Sequence, residues 1–216
     1  LANGKEMRTQ SAQQDLYGAS FEQIAQIGVI PLHDRGFTGT GVRIAVLDNG
    51  FHYVEHEGFG EKFRLVAQRD FVNGDKVVSD EVDQPVSGDE AQNSQNIHGA
   101  QVLSLLAAYQ PGRFIGVAPD AEYILAKTED NQTELPVEED RWIAGLEWAD
   151  SLGAKIVNSS LGYNIWDDGS GYAREDLDGA TALTSRAAAL AVRRGIVVVV
   201  AAGNEAQVAW HYITAP

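Results

Sequence analysis

The sequence contains no cysteine among its 216 residues. That absence excludes disulfide bonds, thiolate metal sites and cysteine nucleophiles, but it does not fix the cellular compartment. The sequence also lacks any apolar run near the ~20 residues that a membrane-spanning helix needs. Basic residues are scarce, with 16 Lys and Arg against 31 Asp and Glu and a formal charge of −15. This balance argues against nucleic acids and anionic membranes as partners.

The two ends of the chain predict that it is a piece of a longer protein. It begins at Leu1 with no basic segment followed by an apolar stretch, so we expect a removed signal peptide or a trimmed start. It stops at Ala215 and Pro216, soon after an apolar run and with no closing helix. The length suits one sizeable core. We predict an arm with a short helix over 1–35 and one main domain over 36–216.

Strand and helix patterns alternate along the main domain. The expected order is a strand over 42–47, a helix from His98 to the Pro-Gly pair at 111–112, a strand over 121–127, a helix over 136–153, a strand over 154–159, a helix over 181–194 and a fully buried strand from Ile196. Such alternation is typical of an α/β fold, a doubly wound and mostly parallel sheet with helices on both faces.

The remaining segments are predicted to lie outside that alternation. Residues 1–20 are polar and predict a surface arm, and apolar positions over 20–32 predict a helix that breaks near Pro31. Residues 73–96 are rich in Asp, Asn, Ser and Gly and predict a long surface loop.

Three predicted strands end in polar residues, namely Asp48, the pair Ser159 and Ser160, and Asn204. The carboxyl ends of parallel strands meet at one edge of a sheet, where ligands bind in open α/β folds. His98, at the start of a predicted helix, joins this set. Each residue also has a purely structural interpretation: Asp48 and His98 could cap helices, and the serines and Asn204 could satisfy backbone groups in turns.

Four motifs carry a resemblance to a known family. They are VLDNG at 46–50, NIHGAQV at 96–102, NSSLG at 158–162 and AAGNE at 201–205, in that order. Together they resemble the catalytic domain of the subtilisin-like serine proteases (subtilases), and most of all the secreted bacterial subtilases of the Bacteroidetes type. The resemblance implies that residues 36–216 are the N-terminal two-thirds of a subtilase catalytic domain whose C-terminal part is missing.

The resemblance also implies a serine endopeptidase that hydrolyses peptide bonds with an Asp-His-Ser triad. Asp48 would orient the imidazole of His98, which would act as general base and then general acid, and Asn204 would donate its amide to the oxyanion. Three further residues would pair with the substrate backbone and line the first specificity pocket, namely Ser160, Leu161 and Gly162.

The sequence departs from the family pattern in three places. Asn49 stands where the family usually has Thr or Ser, and Ala100 stands where it usually has Thr. No serine matches the nucleophile, which in the family follows the oxyanion asparagine on a Gly-Thr-Ser-type turn. We expect that serine beyond Pro216, so the 216 residues alone should be inactive. The alternative is a degenerate homologue that binds peptides without cleaving them.

A second enzyme class has a short motif in its favour. His52, Glu55 and His56 match the H-x-x-E-H pattern of zinc metalloproteases, in which two histidines one helical turn apart bind the metal. That pattern requires a stable helix, but glycines flank the segment, Val54 is β-branched, and no third ligand can be placed. We therefore favour a loop after the Asp48 strand.

The resemblance implies a polypeptide substrate and a secreted, extracellular or periplasmic location in a bacterium. No cofactor is expected. The acidic stretches 75–90 and 167–178 could bind structural calcium, but their spacing fits no calcium loop, and a solvated acidic loop explains them better. An open sheet edge and apolar helix surfaces predict that the chain self-associates or pairs with the missing C-terminal part.

Overall fold

The computed structural model of the chain describes residues 8–79, 97–207 and 209–216. Residues 80–96, which hold most of the expected surface loop, lie outside this part. The described helices are α1 (Gln10–Tyr17), α2 (Phe21–Gln26), α3 (Ile30–Asp34), α4 (Ile97–Ala107), α5 (Val137–Ser151) and α6 (Leu183–Arg193). The described strands are β1 (Arg43–Asp48), β2 (Arg64–Asp70), β3 (Tyr109–Gln110), β4 (Phe114–Ile115), β5 (Glu122–Lys127), β6 (Ile156–Ser159) and β7 (Val197–Val200). Within the described ranges, no helix is both long and apolar enough to cross a membrane.

Five strands form one parallel sheet in the order β2-β5-β1-β6-β7. The central strand β1 pairs with β5, where Asp48 lies opposite Lys127, and with β6, where Leu47 lies opposite Ser159. Its apolar run is buried because strands cover both of its edges and helices cover both faces of the sheet. The predicted α/β class is confirmed, and the carboxyl ends of the parallel strands lie along one edge.

Alternate residues of the central strand face two separate cores. Ala45 and Leu47 pack in one cluster with Trp142 of α5. Val46 packs in another cluster with Leu103 of α4. Helices therefore lie on both faces of the sheet, as the sequence predicts. The two helices also stand on either side of the strand that ends in Asp48.

The two edge strands differ from expectation. Strand β2 is not among the strands expected from the sequence, and most of its residues are exposed. The predicted full burial of β7 is wrong, since Val197, Val199 and Val200 are exposed by 57%, 47% and 39%. Val198 packs against the core that contains α5. In the described part of the chain β7 is the last strand of the sheet, so only one of its faces is covered.

Helix boundaries also differ from expectation. Helix α4 ends at Ala107, before the expected stop at Pro111, because Tyr109 and Gln110 pair as β3 with β4. Pro31 does not break a helix but lies in the first turn of α3, where its missing amide hydrogen costs nothing. The predicted helix over 20–32 is therefore two short helices, α2 and α3.

The segment 1–20, predicted as a surface arm, contains the helix α1, most of whose residues are exposed. Tyr17 is 1% exposed and packs in a small third core with Ile115 of β4. The Tyr17 hydroxyl and His33 Nδ1 lie 2.8 Å apart in a hydrogen bond. Helix α1 is therefore anchored to the rest of the fold, whereas residues 1–7 lie outside the described part.

Candidate active site

Strand β1 carries Asp48 to the carboxyl edge of the sheet. The side chain is completely buried, and Oδ1 accepts hydrogen bonds from His98 Nδ1–H at 2.7 Å and from the Asn49 backbone N–H at 2.9 Å. Burial raises the pKa of Asp48, and the hydrogen bond from His98 opposes that shift. A buried carboxylate needs such donors because an unpaired charge in the interior is costly. The structure thus brings Asp48 and His98 together.

Helix α4 presents His98 in its first turn, with the imidazole 48% exposed. Because Nδ1 donates its proton to the buried Asp48 carboxylate, the neutral ring carries its free lone pair on Nε2. The hydrogen bond to Asp48 raises the pKa of His98, and partial burial opposes the increase. The pair is therefore an oriented base with one nitrogen available to a substrate or nucleophile.

A close approach between α4 and β1 makes this pairing possible. A Cβ atom at Gly99 would overlap the carbonyl oxygen of Gly50 and would lie 3.0 Å from the Asp48 Cβ. A side chain at this position would force the start of α4 away from β1. Glycine is therefore required next to His98 by packing, because the neighbouring atoms belong to the backbone and to a buried side chain.

Replacing Gly99 with alanine should separate His98 from Asp48 and destabilise the protein by about 3 kcal/mol, as expected for overpacking against backbone. Urea denaturation would measure the stability, and the chemical shifts of His98 would report the loss of its hydrogen bond. Gln101→Ala, an exposed position on the same helix, is the matched control and should change neither quantity appreciably. An unchanged His98 environment in Gly99→Ala would contradict the prediction.

Asn49 links the elements around the base. Its Oδ1 accepts the Gly99 backbone N–H at 3.2 Å, and its Nδ2 donates to Asn131 Oδ1 at 3.3 Å. Asn49 is 8% exposed, so these bonds are largely protected from water. The residue that departs from the family pattern thus holds the start of α4 to the end of β1. Ala100, the second departure, is also buried.

A cavity of about 250 Å³ opens beside His98 at the carboxyl ends of β1, β5 and β6. One wall is formed by the predicted substrate-binding residues Ser160, Leu161 and Gly162. The opposite wall belongs to the loop after β5 and carries the carboxylates Glu129, Asp130 and Glu134. The structure therefore brings the predicted segment and His98 together around one space.

The acidic wall has no counterpart in the sequence prediction. A signal is present in the sequence, because Thr128, Glu129 and Asp130 stand at the end of an apolar strand, as Asp48 does at the end of β1. Glu129 is 8% exposed and accepts a hydrogen bond from the Tyr163 hydroxyl. Burial, and secondarily the nearby Glu138, raises the pKa of Glu129 to about 8.

Asn204 lies in the turn after β7 and is exposed. It does not line the cavity beside His98. Its neighbour Gly203 packs on Thr214, since a Cβ there would lie 3.1 Å from Thr214 Oγ1, and a Cβ at Gly162 would overlap the same oxygen. Thr214 thus connects the turn of Asn204 with the substrate-binding segment, although Asn204 and His98 are not in contact.

The serines of the described part do not form a nucleophile with His98. Ser159 is 1% exposed, and its Oγ accepts the Trp142 Nε1–H at 2.9 Å. Ser185 lies within α6, as the sequence predicts. Ser160 lines the cavity, but among the described residues the His98 ring forms a side-chain hydrogen bond with Asp48 alone.

The structural premise of the zinc alternative is wrong. Residues 52–56 form turns rather than a helix, and Tyr53 has a positive φ of 65°. His56 Nδ1 instead accepts the Gly58 backbone N–H at 2.9 Å. Across the described residues, no group of three or more His, Asp or Glu side chains is arranged to hold a metal ion. The expected loop after β1 is confirmed.

The sequence profile of the Subtilase family matches residues 39–214. The minor extracellular protease Vpr of Bacillus subtilis (strain 168) is 31% identical over 188 residues, which cover 85% of this chain and 20% of that protein. Alkaline elastase YaB of Bacillus sp. (strain YaB) is 33% identical over 172 residues, covering 79% of this chain and 36% of the relative. The chain thus spans well under half the length of these two relatives.

The structure of fervidolysin from Fervidobacterium pennivorans, a keratinolytic enzyme related to subtilisin, resembles this chain with a TM-score of 0.58. The two are 24% identical, and the match covers 90% of this chain and 26% of fervidolysin. At that identity the likeness bears on the fold alone, and it agrees with the parallel sheet and the helices on both faces.

Proposed function

The chain belongs to the Subtilase family, and from that premise we propose that the complete protein hydrolyses peptide bonds as a serine endopeptidase. The observation that carries the proposal is the 2.7 Å hydrogen bond between His98 Nδ1 and the buried Asp48 carboxylate, beside a cavity at the sheet edge. A serine hydroxyl is a weak nucleophile and needs a base of this kind, held in one tautomer.

In the proposed reaction His98 Nε2 takes the proton of the serine hydroxyl as the oxygen attacks the peptide carbonyl carbon. The tetrahedral intermediate collapses when the imidazolium gives that proton to the leaving amine, which leaves an acyl-enzyme. Water then repeats the sequence and releases the acid. Asp48 stays ionised throughout and stabilises the imidazolium through Oδ1.

We assign two supporting roles to the strand ends. Ser160, Leu161 and Gly162 would pair with the substrate backbone, a role supported by their position on the cavity wall. Asn204 would donate its side-chain amide to the oxyanion. Its exposure in the turn after β7 leaves that amide accessible. The attacking serine would come from sequence outside the 216 residues, since no serine of the described part has the required contact with His98.

We further propose that the protein is secreted and acts on polypeptides, as the relatives that are named extracellular or alkaline proteases suggest. No cofactor is assigned to the reaction. The acidic stretch over 167–178 is used locally: Asp168 Oδ1 accepts the Ser170 N–H, and Asp178 Oδ1 accepts the Ala180 N–H. The acidic stretch over 75–90 lies mostly outside the described residues.

A fluorophosphonate probe tests the proposed function in the complete protein. We expect the probe to label one serine and to abolish casein hydrolysis, because only an activated serine hydroxyl reacts with it. A metal chelator should leave the casein activity intact. The 216-residue chain alone should not be labelled.

Three other outcomes would contradict this proposal in different ways. Casein hydrolysis that resists the fluorophosphonate but is lost with chelator, together with bound zinc, would favour a metalloprotease. Peptide binding without cleavage by the complete protein would favour a non-catalytic binding module. Labelling of the 216-residue chain would place the nucleophile within it.

A further inference from the structure

The cavity beside His98 has walls of different chemistry. On one side Leu161 offers an apolar surface between Ser160, which carries a hydroxyl, and Gly162, which has no side chain. On the other side stand three carboxylates of the loop after β5, namely Glu129, Asp130 and Glu134. Neither lysine nor arginine is among the described residues that line the space. The acidic side of the cavity therefore has no basic residue beside it in the described lining.

Glu129 is the buried member of this wall. Its carboxyl is more than nine-tenths buried and accepts a hydrogen bond from the Tyr163 hydroxyl, which is a neutral donor. Glu138 lies behind it and accepts the backbone N–H groups of Asp130 and Leu135. A buried carboxylate without a cation is costly, and a positive partner would remove that cost.

The raised pKa values of two wall carboxyls agree with the absence of a basic residue from the described lining. Burial raises the pKa of Glu129 to about 8, with Glu138, Glu134 and Asp48 adding repulsion. The pKa of Glu134 is raised by burial and by the nearby Asp167. An ammonium or guanidinium group in the cavity would favour the ionised form of each carboxyl. Ionisation of the wall and binding of a cation would therefore reinforce each other.

We propose that this cavity binds a lysine or arginine side chain of the polypeptide substrate, next to the peptide bond that is cleaved, and that Glu129 selects it. The inference rests on the proposed endopeptidase function. The aliphatic stem of a basic side chain would lie along Leu161 while its charged head meets the opposite wall. The formal charge of −15 would also attract basic polypeptides toward the molecule.

The choice of a peptide side chain follows from what surrounds the cavity. His98 and the segment 160–162 both line it, so a substrate backbone that lies along this segment and reaches the base would pass the cavity mouth. A side chain adjacent to the cleaved bond would then enter it. Glu129, Asp130 and Glu134 line the same space, and a basic side chain is the part of a polypeptide that complements them.

Peptide hydrolysis by the complete protein tests the proposal. Matched fluorogenic peptides would carry Lys, Arg, Leu or Glu at one position, scanned on both sides of the cleaved bond. At about pH 8.5, where much of Glu129 is ionised, we expect kcat/KM for Lys or Arg to exceed that for Leu about tenfold at one position, equivalent to about 1.4 kcal/mol. Glu should be the least accepted residue there.

Variants of the acidic wall test whether its carboxyl groups cause the preference for a basic side chain. Glu129→Gln is close to isosteric, keeps an acceptor for Tyr163 and should reduce the ratio of kcat/KM for Lys over Leu to about twofold or less. Glu134→Gln, further along the same loop, should reduce the ratio partly and provides a second test if Glu129→Gln folds poorly. Glu147→Gln, on the exposed face of α5, is the matched control and should keep the wild-type ratio.

The outcomes separate this proposal from the function on which it rests. Absence of casein hydrolysis in the wild-type protein would overturn the endopeptidase function. Casein hydrolysis with no preference for basic residues, or with a preference for apolar ones, would overturn only the assignment of the cavity. A basic preference that survives both wall variants would place its origin elsewhere in the protein.

Discussion

Replacing His98 with alanine should lower kcat for peptide hydrolysis by the complete protein about 10⁶-fold, with little change in KM. The imidazole is oriented by its hydrogen bond from Nδ1 to Asp48 at 2.7 Å, which leaves Nε2 available at the sheet edge. Alanine at this position leaves the serine hydroxyl without a proton acceptor and the leaving amine without a donor. Steady-state kinetics with casein and with a fluorogenic peptide would measure the loss.

His56→Ala is the matched control for this experiment. His56 lies in the exposed loop after β1, where its Nδ1 accepts the Gly58 N–H, and its loss should leave kcat within about twofold. Loss of activity in His56→Ala together with full activity in His98→Ala would reverse the assignment and favour the zinc alternative. Peptide binding retained by His98→Ala would show that the base serves the chemistry and not the affinity.

The central part of the fold could be predicted because its pattern reflects burial on both faces. The run that ends in Asp48 is buried against two neighbouring strands and two helices, so nearly every residue in it is apolar. The helix α5 could be predicted for a similar reason, since Trp142, Leu146 and Ala149 share its buried face. The positions of the strand ends could also be predicted, because parallel neighbouring strands bring Asp48 and Ser160 to one edge of the sheet.

The edges of the sheet could not be predicted in the same way. Strand β2 is held by its ladder with β5 and not by a buried face, so its sequence carries little apolar signal. For strand β7 the apolar signal is misleading. Its run of valines predicts a buried strand, although most of the run is exposed at the sheet edge. The two-residue strand β3 forms by pairing with β4. The sequence does not reveal this pairing, because Tyr109 continues the helical spacing of the apolar residues in α4.

The parts of the site that sequence patterns miss depend on partners far along the chain. Asn49 gains its role from the backbone of Gly99, and Glu129 from the hydroxyl of Tyr163. Both residues read locally as ordinary polar positions after a strand. Only the packing of α4 and of the loop after β5 around the same edge shows what they contact. The roles of Asn204 and of the segment 160–162 remain predictions that kinetic experiments must test.

Replacing Asp48 with asparagine should lower kcat about 10⁴-fold, a smaller loss than that of the base itself. The side chain would keep its volume and could still accept the Asn49 N–H, but it would lose the charge that stabilises the imidazolium and fixes the Nδ1–H tautomer. The remaining activity should also change its pH dependence. The hydrogen bond that His98 donates to Asp48 raises the pKa of His98, and His98 must be neutral to act as base.

The sign of that change follows from which form of His98 is active. In the wild-type protein activity falls when pH drops through the raised pKa of His98, so removing the Asp48 charge should move the acidic limb of kcat/KM to lower pH. Profiles of kcat/KM against pH for both proteins would measure it. Asp140→Asn removes an exposed charge from the first turn of α5 and should leave the limb in place. A limb that stays unmoved in Asp48→Asn, or a loss below about tenfold, would mean that Asp48 does not act through His98.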